Sequence, residues 1–344
     1  VSDTAPIRPE ERFDEERVSR YLRSELPGIV GDGPIEFEQF PGGKANLTYL
    51  ARGESWELVL RRPPLGEVAP GSHDMGRESR VLMVLNDAYP RAPRAHAYCD
   101  DPAVMGKPFF VMERRRGHVI RGRWPAELDG GEEARRAVAE SLVDALVDLH
   151  NVDFEVLGLG DLGRPEGFAQ RQVRGWTDRW ERSRNEDVPA MEKLAEGLAA
   201  AIPGPQRAVL LHNDFKLDNT MVDASLAVTS VFDWDMATLG DPLVDLGTTL
   251  SYWGSGDGGF RPLADDVQAL GEVMPVNDVA RRYAAGTGLD VSGLDWYRAL
   301  GMFRIAVILQ QIYIRWVRGQ TTDDRFGALG AIVPPLAESA LDLL

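Results

Sequence analysis

From residue 134 onward apolar residues recur at helical spacing almost everywhere, and only two short runs, 208–211 and 228–232, read as strands. They bracket the loop His212-Asn213-Asp214-Phe215-Lys216-Leu217-Asp218-Asn219, and the second run ends in Val231-Phe232-Asp233-Trp234-Asp235. A largely helical segment that spends its few strands on either side of one Asp/Asn-rich loop is framing that loop. An aspartate, an asparagine five positions on and a second aspartate closing an apolar run are the parts that phosphoryl transfer needs. One carboxylate orients a hydroxyl, and two oxygen-bearing groups hold magnesium.

The earlier part of the chain has a different grain. Residues 11–26 carry Phe13, Val18, Tyr21 and Leu22 among charges and are stopped by Pro27-Gly28, which predicts an amphipathic helix. Residues 35–62 shorten to strand-like alternation, three strands with a glycine turn after Pro41. Residues 63–76 form a loop by their prolines and glycines, and 77–85 resume a helical period. Strands follow at 95–99 and 108–113, and the basic stretch Arg114-Arg115-Arg116-Gly117 marks a crossover. Two lobes result, a β-rich one over 1–113 and a helical one over 114–344. Helices are expected at 134–149, 168–184, 190–201, 243–253, 265–273, 278–286 and 294–317, with one flexible glycine-rich patch at 254–259. The most apolar late stretch, 300–317, is interrupted by Arg304, Gln310, Gln311 and Arg315, a pattern for a buried helix and not a membrane span.

Charge narrows the partners. With 38 basic against 54 acidic residues the 344-residue chain carries −16, which repels nucleic-acid backbones and anionic membranes. The single cysteine, Cys99, excludes an intrachain disulfide and a cysteine-based metal cluster, and no apolar run follows the polar N-terminus as a signal peptide would. A reducing cytoplasm is the expected setting, and oligomeric state is left open.

The motifs Val59-Leu60-Arg61-Arg62-Pro63-Pro64, His212 through Asn219, and Asp233-Trp234-Asp235-Met236-Ala237-Thr238-Leu239-Gly240-Asp241-Pro242 resemble the aminoglycoside phosphotransferase and choline kinase-like branch of the protein-kinase-like fold. They are similar in particular to the kinase-like domains fused in animals to acyl-CoA dehydrogenases. The resemblance runs from about Phe37 to Val317 and implies an α+β, two-lobe protein-kinase-like fold with ATP and Mg2+ as cofactors. It implies Asp214 as the base that aligns an acceptor hydroxyl, and Asn219 and Asp233 as magnesium ligands through hard oxygens. Gly42, Gly43 and Asn46 fall at the turn such a fold lays over ATP; the turn is not a P-loop, because Glu38 and Ala45 stand where a glycine and a Ser/Thr are required. Arg61 takes the strand position usual for a phosphate-binding lysine, with Glu78 placed to pair with it. Alternation puts Val59 and Arg61 on one face, which separates Arg61 from Arg62. Met112 and Glu113 fall on the hinge strand that would bond adenine, and Lys216 is placed to reach the γ-phosphate. Asp245 is read as structural, and His212 as an anchor of the loop.

The metal motif lacks the glycine and the following Ala-Pro-Glu of a protein kinase, so a small hydroxyl-bearing molecule is the expected acceptor. The basic and aromatic stretch Arg171, Arg174, Trp176, Arg179 and Trp180 reads either as helix packing with a solvated arginine face or as a pocket lining; as a lining it suits an anionic or acyl acceptor, a hydroxyacyl-CoA or hydroxy acid by resemblance. Two alternatives stand beside it: an aminoglycoside or amino-alcohol kinase, and a catalytically degenerate nucleotide-binding module.

Overall fold

The computed structural model describes residues 3–41, 46–66, 74–121, 124–128, 130–254, 270–321 and 323–344. The chain divides into two compact units, Val1–Arg116 with Ser230–Ala237, and Gly117–Thr229 with Thr238–Leu344.

The first unit begins with α1 (Glu15–Glu25), capped by the Asp14 carboxylate accepting from Arg17 N. Strands β1 (Glu36–Gln39), β2 (Leu47–Arg52) and β3 (Glu57–Arg62) form an antiparallel meander. Helix α2 (Met75–Leu85), capped by Asp74, leads to β4 (Ala95–Cys99), a short helical turn α3 (Pro102–Met105) and β5 (Phe109–Glu113). The sheet order is β1-β2-β3-β5-β4, with β5 antiparallel to both neighbours. Alternation along β3 sends Leu58 and Leu60 into a core with Val18, Leu22, Tyr49 and Phe109. Arg62 points the same way and is buried, donating to Tyr49 Oη (2.7 Å), Met105 O (2.5 Å) and Glu11 O (2.5 Å). Arg61 takes the other face.

The second unit holds α4 (Glu132–His150), α5 (Phe168–Ser183) and α6 (Pro189–Ala200), then β6 (Val209–Leu211), β7 (Thr220–Val222) and β8 (Val228–Val231), in which the chain passes to the first unit. It resumes with β9 (Thr238–Gly240), α7 (Pro242–Ser251), α8 (Val276–Thr287), α9 (Leu294–Val317) and α10 (Val333–Leu341). β6 pairs antiparallel with β9, in the register Val209 to Gly240 and Leu211 to Thr238. Helix α9 is long and apolar enough to span a membrane by composition, but 56% of its most apolar stretch is buried within the protein, where it packs on α5, α7 and α10. The approach of α7 to α9 is set by glycine: a Cβ on Gly301 would lie 2.8 Å from Gly247 O and one on Gly247 would strike the Tyr297 carbonyl. Only hydrogen at these positions lets the two backbones meet.

Four elements escape the periodicity reading. β7 and β9 have three residues each and α3 four, too short to show a period, and α10 opens with a proline pair in an apolar tail. The helix expected at 265–273 lies largely outside the described residues, which show only a 3-10 turn, Leu270–Glu272. The glycine-rich patch, beyond Gly254, and the turn bearing Gly42 and Gly43 also lie outside them.

Candidate active site

In the first unit Arg61 is the hub. Its Nε lies 3.1 Å from Glu78 Oε2 on α2, and its Nη2 binds Asp233 Oδ1. Asp233 holds left-handed backbone angles, φ 70° and ψ 62°, in which a β-carbon crowds the neighbouring carbonyl. α2 braces this strained residue from both sides of its turn. Glu78 Oε1 accepts from Trp234 N (3.3 Å), and Arg77 Nη2 donates to Ala237 O (2.8 Å). Trp234 Nε1 closes the turn on Val231 O (2.8 Å). The Glu78 carboxyl is pushed up to about 7: burial raises it most, Arg61 pulls it down, and the charges of Asp233 and Asp235 raise it further. Burial works against the charge on Arg61, but Glu78 and Asp233 outweigh it and raise its pKa, so the guanidinium stays charged.

The remaining first-unit candidates sit apart from this hub. Asn46 is buried at the head of β2. Met112 is buried and lies opposite Val59, and the half-buried Glu113 lies opposite Leu58. The Glu113 amide already donates to Arg94 O (2.9 Å) and its carboxylate accepts from Arg94 N (2.8 Å) and pairs with Arg115 (2.6 Å), so much of this residue's bonding is committed locally.

In the second unit the loop after β6 is hung on one buried carboxylate. Asp245 of α7 accepts from His212 N through Oδ2 and from Asn213 N through Oδ1, both at 2.7 Å. His150 Nε2 stands 3.4 Å from the same Oδ2, with its Nδ1 at 2.6 Å from Tyr283 Oη. Asn213 turns through φ 69°, a conformation asparagine tolerates better than most residues. Its carbonyl accepts from Arg304 Nη2 (2.5 Å) on α9. His212 Nδ1 accepts from Asp214 N (3.2 Å), tying the next residue to the same anchor.

Asp214 is thereby presented with its carboxylate partly exposed. Asn219 Nδ2 donates to Asp214 O and to Oδ2, each at 2.9 Å, and Lys216 Nζ lies 3.0 Å from Oδ2. Burial works against the charge on Lys216, but Asp214 above all, with Tyr252 and Asp218, raises its pKa and keeps it an ammonium. The ammonium also sits 5.1 Å over the Tyr252 ring. Lys216, Asp218, Tyr252, Trp253 and Leu142 line a small hollow open to solvent.

Arg304, Tyr252 and Arg77 took no part in the site as read from sequence. Arg304 looked like a polar interruption in an apolar helix, and its burial was the available clue: a buried arginine needs acceptors. Arg77 and Tyr252 left no mark in the pattern, since their partners are 160 residues away for Arg77 and 36 for Tyr252, counted from Ala237 and Lys216. The expected stretch on α5 is split by its faces. Trp176 and Trp180 are buried, whereas Arg174 and Arg179 are exposed.

A strand-borne arginine paired to a helix glutamate, an aspartate at a strand end and an Asp–Asn pair on a braced loop are the equipment of a phosphotransferase. The model of the phosphotransferase enzyme family matches residues 36–298, and the chain belongs to that family. Acyl-CoA dehydrogenase family member 10 of Mus musculus is 33% identical over 350 residues, covering 99% of this chain and 32% of that protein. Family member 11 of Gallus gallus is 30% identical, covering 99% and 44%. The chain thus spans less than half of the length of these curated relatives.

Among solved structures, a Ralstonia eutropha JMP134 protein classed with the aminoglycoside phosphotransferases superposes with TM-score 0.81 at 32% identity, over 96% of this chain and 98% of that one. Macrolide 2'-phosphotransferase type I, at 17% identity and TM-score 0.60 over 94% and 98%, shares the fold. The architecture is the kinase-like one, a small antiparallel sheet followed by a helical part.

Proposed function

We propose that this protein is an ATP- and magnesium-dependent phosphotransferase that acts on the hydroxyl of a small molecule, a hydroxyacyl-CoA or hydroxy acid. The observation that carries the reading is Asp214, a carboxylate on a strained, fully braced loop and held by Asn219 and Lys216. In this reading Asp214 orients the acceptor hydroxyl and takes its proton as the oxygen–phosphorus bond forms. Lys216 turns from Asp214 to the γ-phosphate, and Arg61 offers its fork to the α- and β-phosphates, a planar match that a lysine does not make.

The donor chemistry suits magnesium, which takes one or two protein oxygens and completes its shell with water and phosphate. Asp233 supplies a carboxylate that is 32% exposed, and Asn219 supplies Oδ1, because its Nδ2 is the atom spent on Asp214. An ion taken by either donor would neutralise phosphate charge. The acyl clause draws support from the relatives named for acyl-CoA dehydrogenases. A cytoplasmic setting without nucleic-acid or membrane partners accompanies the reading.

The test is ADP release by purified protein with magnesium and ATP, run against hydroxyacyl-CoAs, hydroxy acids and aminoglycosides, with Asp214→Asn alongside. Release stimulated by an acyl substrate and lost in the variant supports the whole reading. Release with aminoglycosides alone removes the acyl clause, and ATP binding without release to any acceptor favours a binding module.

A further inference from the structure

The chain is strongly acidic, yet beside the loop that carries Asp214 two guanidinium groups share one indole ring. The guanidinium of Arg179 lies 4.4 Å from the ring centre of Trp176, and that of Arg304 lies 5.4 Å from the same ring. Trp176 is buried, with its indole Nε1 held by Gln172 (3.1 Å), so the platform is rigid. Arg304 is buried and fixed to the loop through Asn213 O (2.5 Å) and Oδ1 (3.3 Å), one residue before Asp214. Arg179 is different. It is exposed, and no hydrogen bond or ion pair ties its guanidinium among the described residues. Partial desolvation and then the charges of Arg182 and Arg304 lower its pKa.

A stacked, planar guanidinium keeps its edge available for two parallel hydrogen bonds to a carboxylate or phosphate. An indole platform limits the orientations it loses on binding. We propose that Trp176, Arg179 and Arg304 form a subsite for an anionic group of the acceptor, a carboxylate or phosphate remote from the hydroxyl that is phosphorylated. Arg179 makes the direct contact. Arg304, bonded to the loop and seated over the same ring, sets the distance between the anion and Asp214. The inference rests on the phosphotransferase reading and names the class of acceptor it would select.

The test combines binding with kinetics. Malonate, inorganic pyrophosphate and coenzyme A are titrated calorimetrically into wild-type, Arg179→Gln and Arg179→Glu protein saturated with magnesium and a non-hydrolysable ATP analogue, with glycerol as the neutral control. Loss of one charge-assisted contact is expected to weaken anion binding on the order of ten-fold in Arg179→Gln, and further in Arg179→Glu. Malonate alone responding assigns a carboxylate, and the phosphate-bearing probes alone responding assign a phosphate. In ADP release, 3-hydroxybutyrate and 3-hydroxybutyryl-CoA are compared with the uncharged 3-hydroxybutanamide. The variants are expected to raise KM for the charged acceptors and narrow their advantage over the amide, with circular dichroism confirming the fold. Arg179-dependent binding of anions without ADP release leaves the subsite standing and removes the kinase reading. ADP release indifferent to Arg179, or anion binding that is absent or equal in all three proteins, overturns the subsite.

Discussion

Asn219 spends one amide nitrogen on two oxygens of Asp214, the backbone carbonyl and Oδ2, each at 2.9 Å. The bond fixes the carboxylate's rotamer and at the same time turns Asn219 Oδ1 away from it. In the proposed reading, one residue thus couples the orientation of the base to the presentation of a metal ligand. Asp214→Asn is expected to lower turnover on the order of 10²- to 10⁴-fold with ATP affinity retained. Asn219→Ala is expected to lower turnover and also to raise the magnesium concentration needed for half-maximal rate. ADP release across a magnesium series separates the two, and a magnesium requirement unaltered in Asn219→Ala would remove it as a ligand.

Asp245 carries two backbone amides of the loop on separate oxygens in a fully buried position. An asparagine there presents one acceptor oxygen and one misplaced donor. Asp245→Asn is expected to cost about 1–3 kcal/mol, the penalty of leaving one buried amide unsatisfied. Urea denaturation gives the cost, and turnover should fall with it because the loop loses its anchor.

Arg61 serves Glu78 and Asp233 at once. Arg61→Met leaves the buried Glu78 without its cation and is expected to destabilise by about 3–5 kcal/mol. Arg61→Lys keeps the charge but offers a point donor, so it is expected to fold and to bind ATP more weakly. Thermal melts with and without magnesium and ATP check both; equal stability of Arg61→Met and wild type would mean that Glu78 is neutral in the folded protein.

Asp241 caps α7 through Leu243 N (3.0 Å) and accepts from Tyr297 Oη (2.6 Å). Burial holds its carboxyl above the ordinary carboxylate range, although both bonds and His150 pull it down. A carboxyl raised on folding contributes stability that is present below the ordinary range and is lost as pH rises through the raised value. Asp241→Asn should therefore gain relative to wild type as pH rises from about 4 to 7, and Tyr297→Phe should steepen the wild-type decline. Denaturant midpoints across that range are the measurement; parallel curves for wild type and Asp241→Asn would show that the carboxyl is not raised.

The His212–Asn219 motif is readable because the proposed catalysis and the local structure there use the same residues. Asp214, Asn219 and the strands around them are close in sequence, and their spacing alone implies a braced loop. Alternation along β3 likewise distinguished Arg61 from Arg62, since a strand sends neighbours to opposite faces. The glutamate on α2 was within reach for the same reason, one strand and one helix away. Arg304 was not readable, because a single arginine in an apolar helix has no partner until α9 meets the loop 91 residues earlier in the chain. Nor did α5 reveal which of its side chains would be buried. Its pattern holds tryptophans and arginines together, and only the packing of α9 against it buries Trp176 and leaves Arg179 outside.

What the sequence determined by itself is the local chemistry: the loop from His212 to Asn219, the strand end at Asp233 and the alternation that aims Arg61. These follow from short-range constraints that any fold must respect. What only the tertiary structure decided is how that chemistry is held. Asp245, Arg304, Arg77 and Glu78 reach the functional loops across long sequence separations, because buried amides and carbonyls must find partners and the nearest ones lie on neighbouring helices. Helix packing decides which those are, and here two glycines at one crossing, Gly247 and Gly301, let α9 come close to α7.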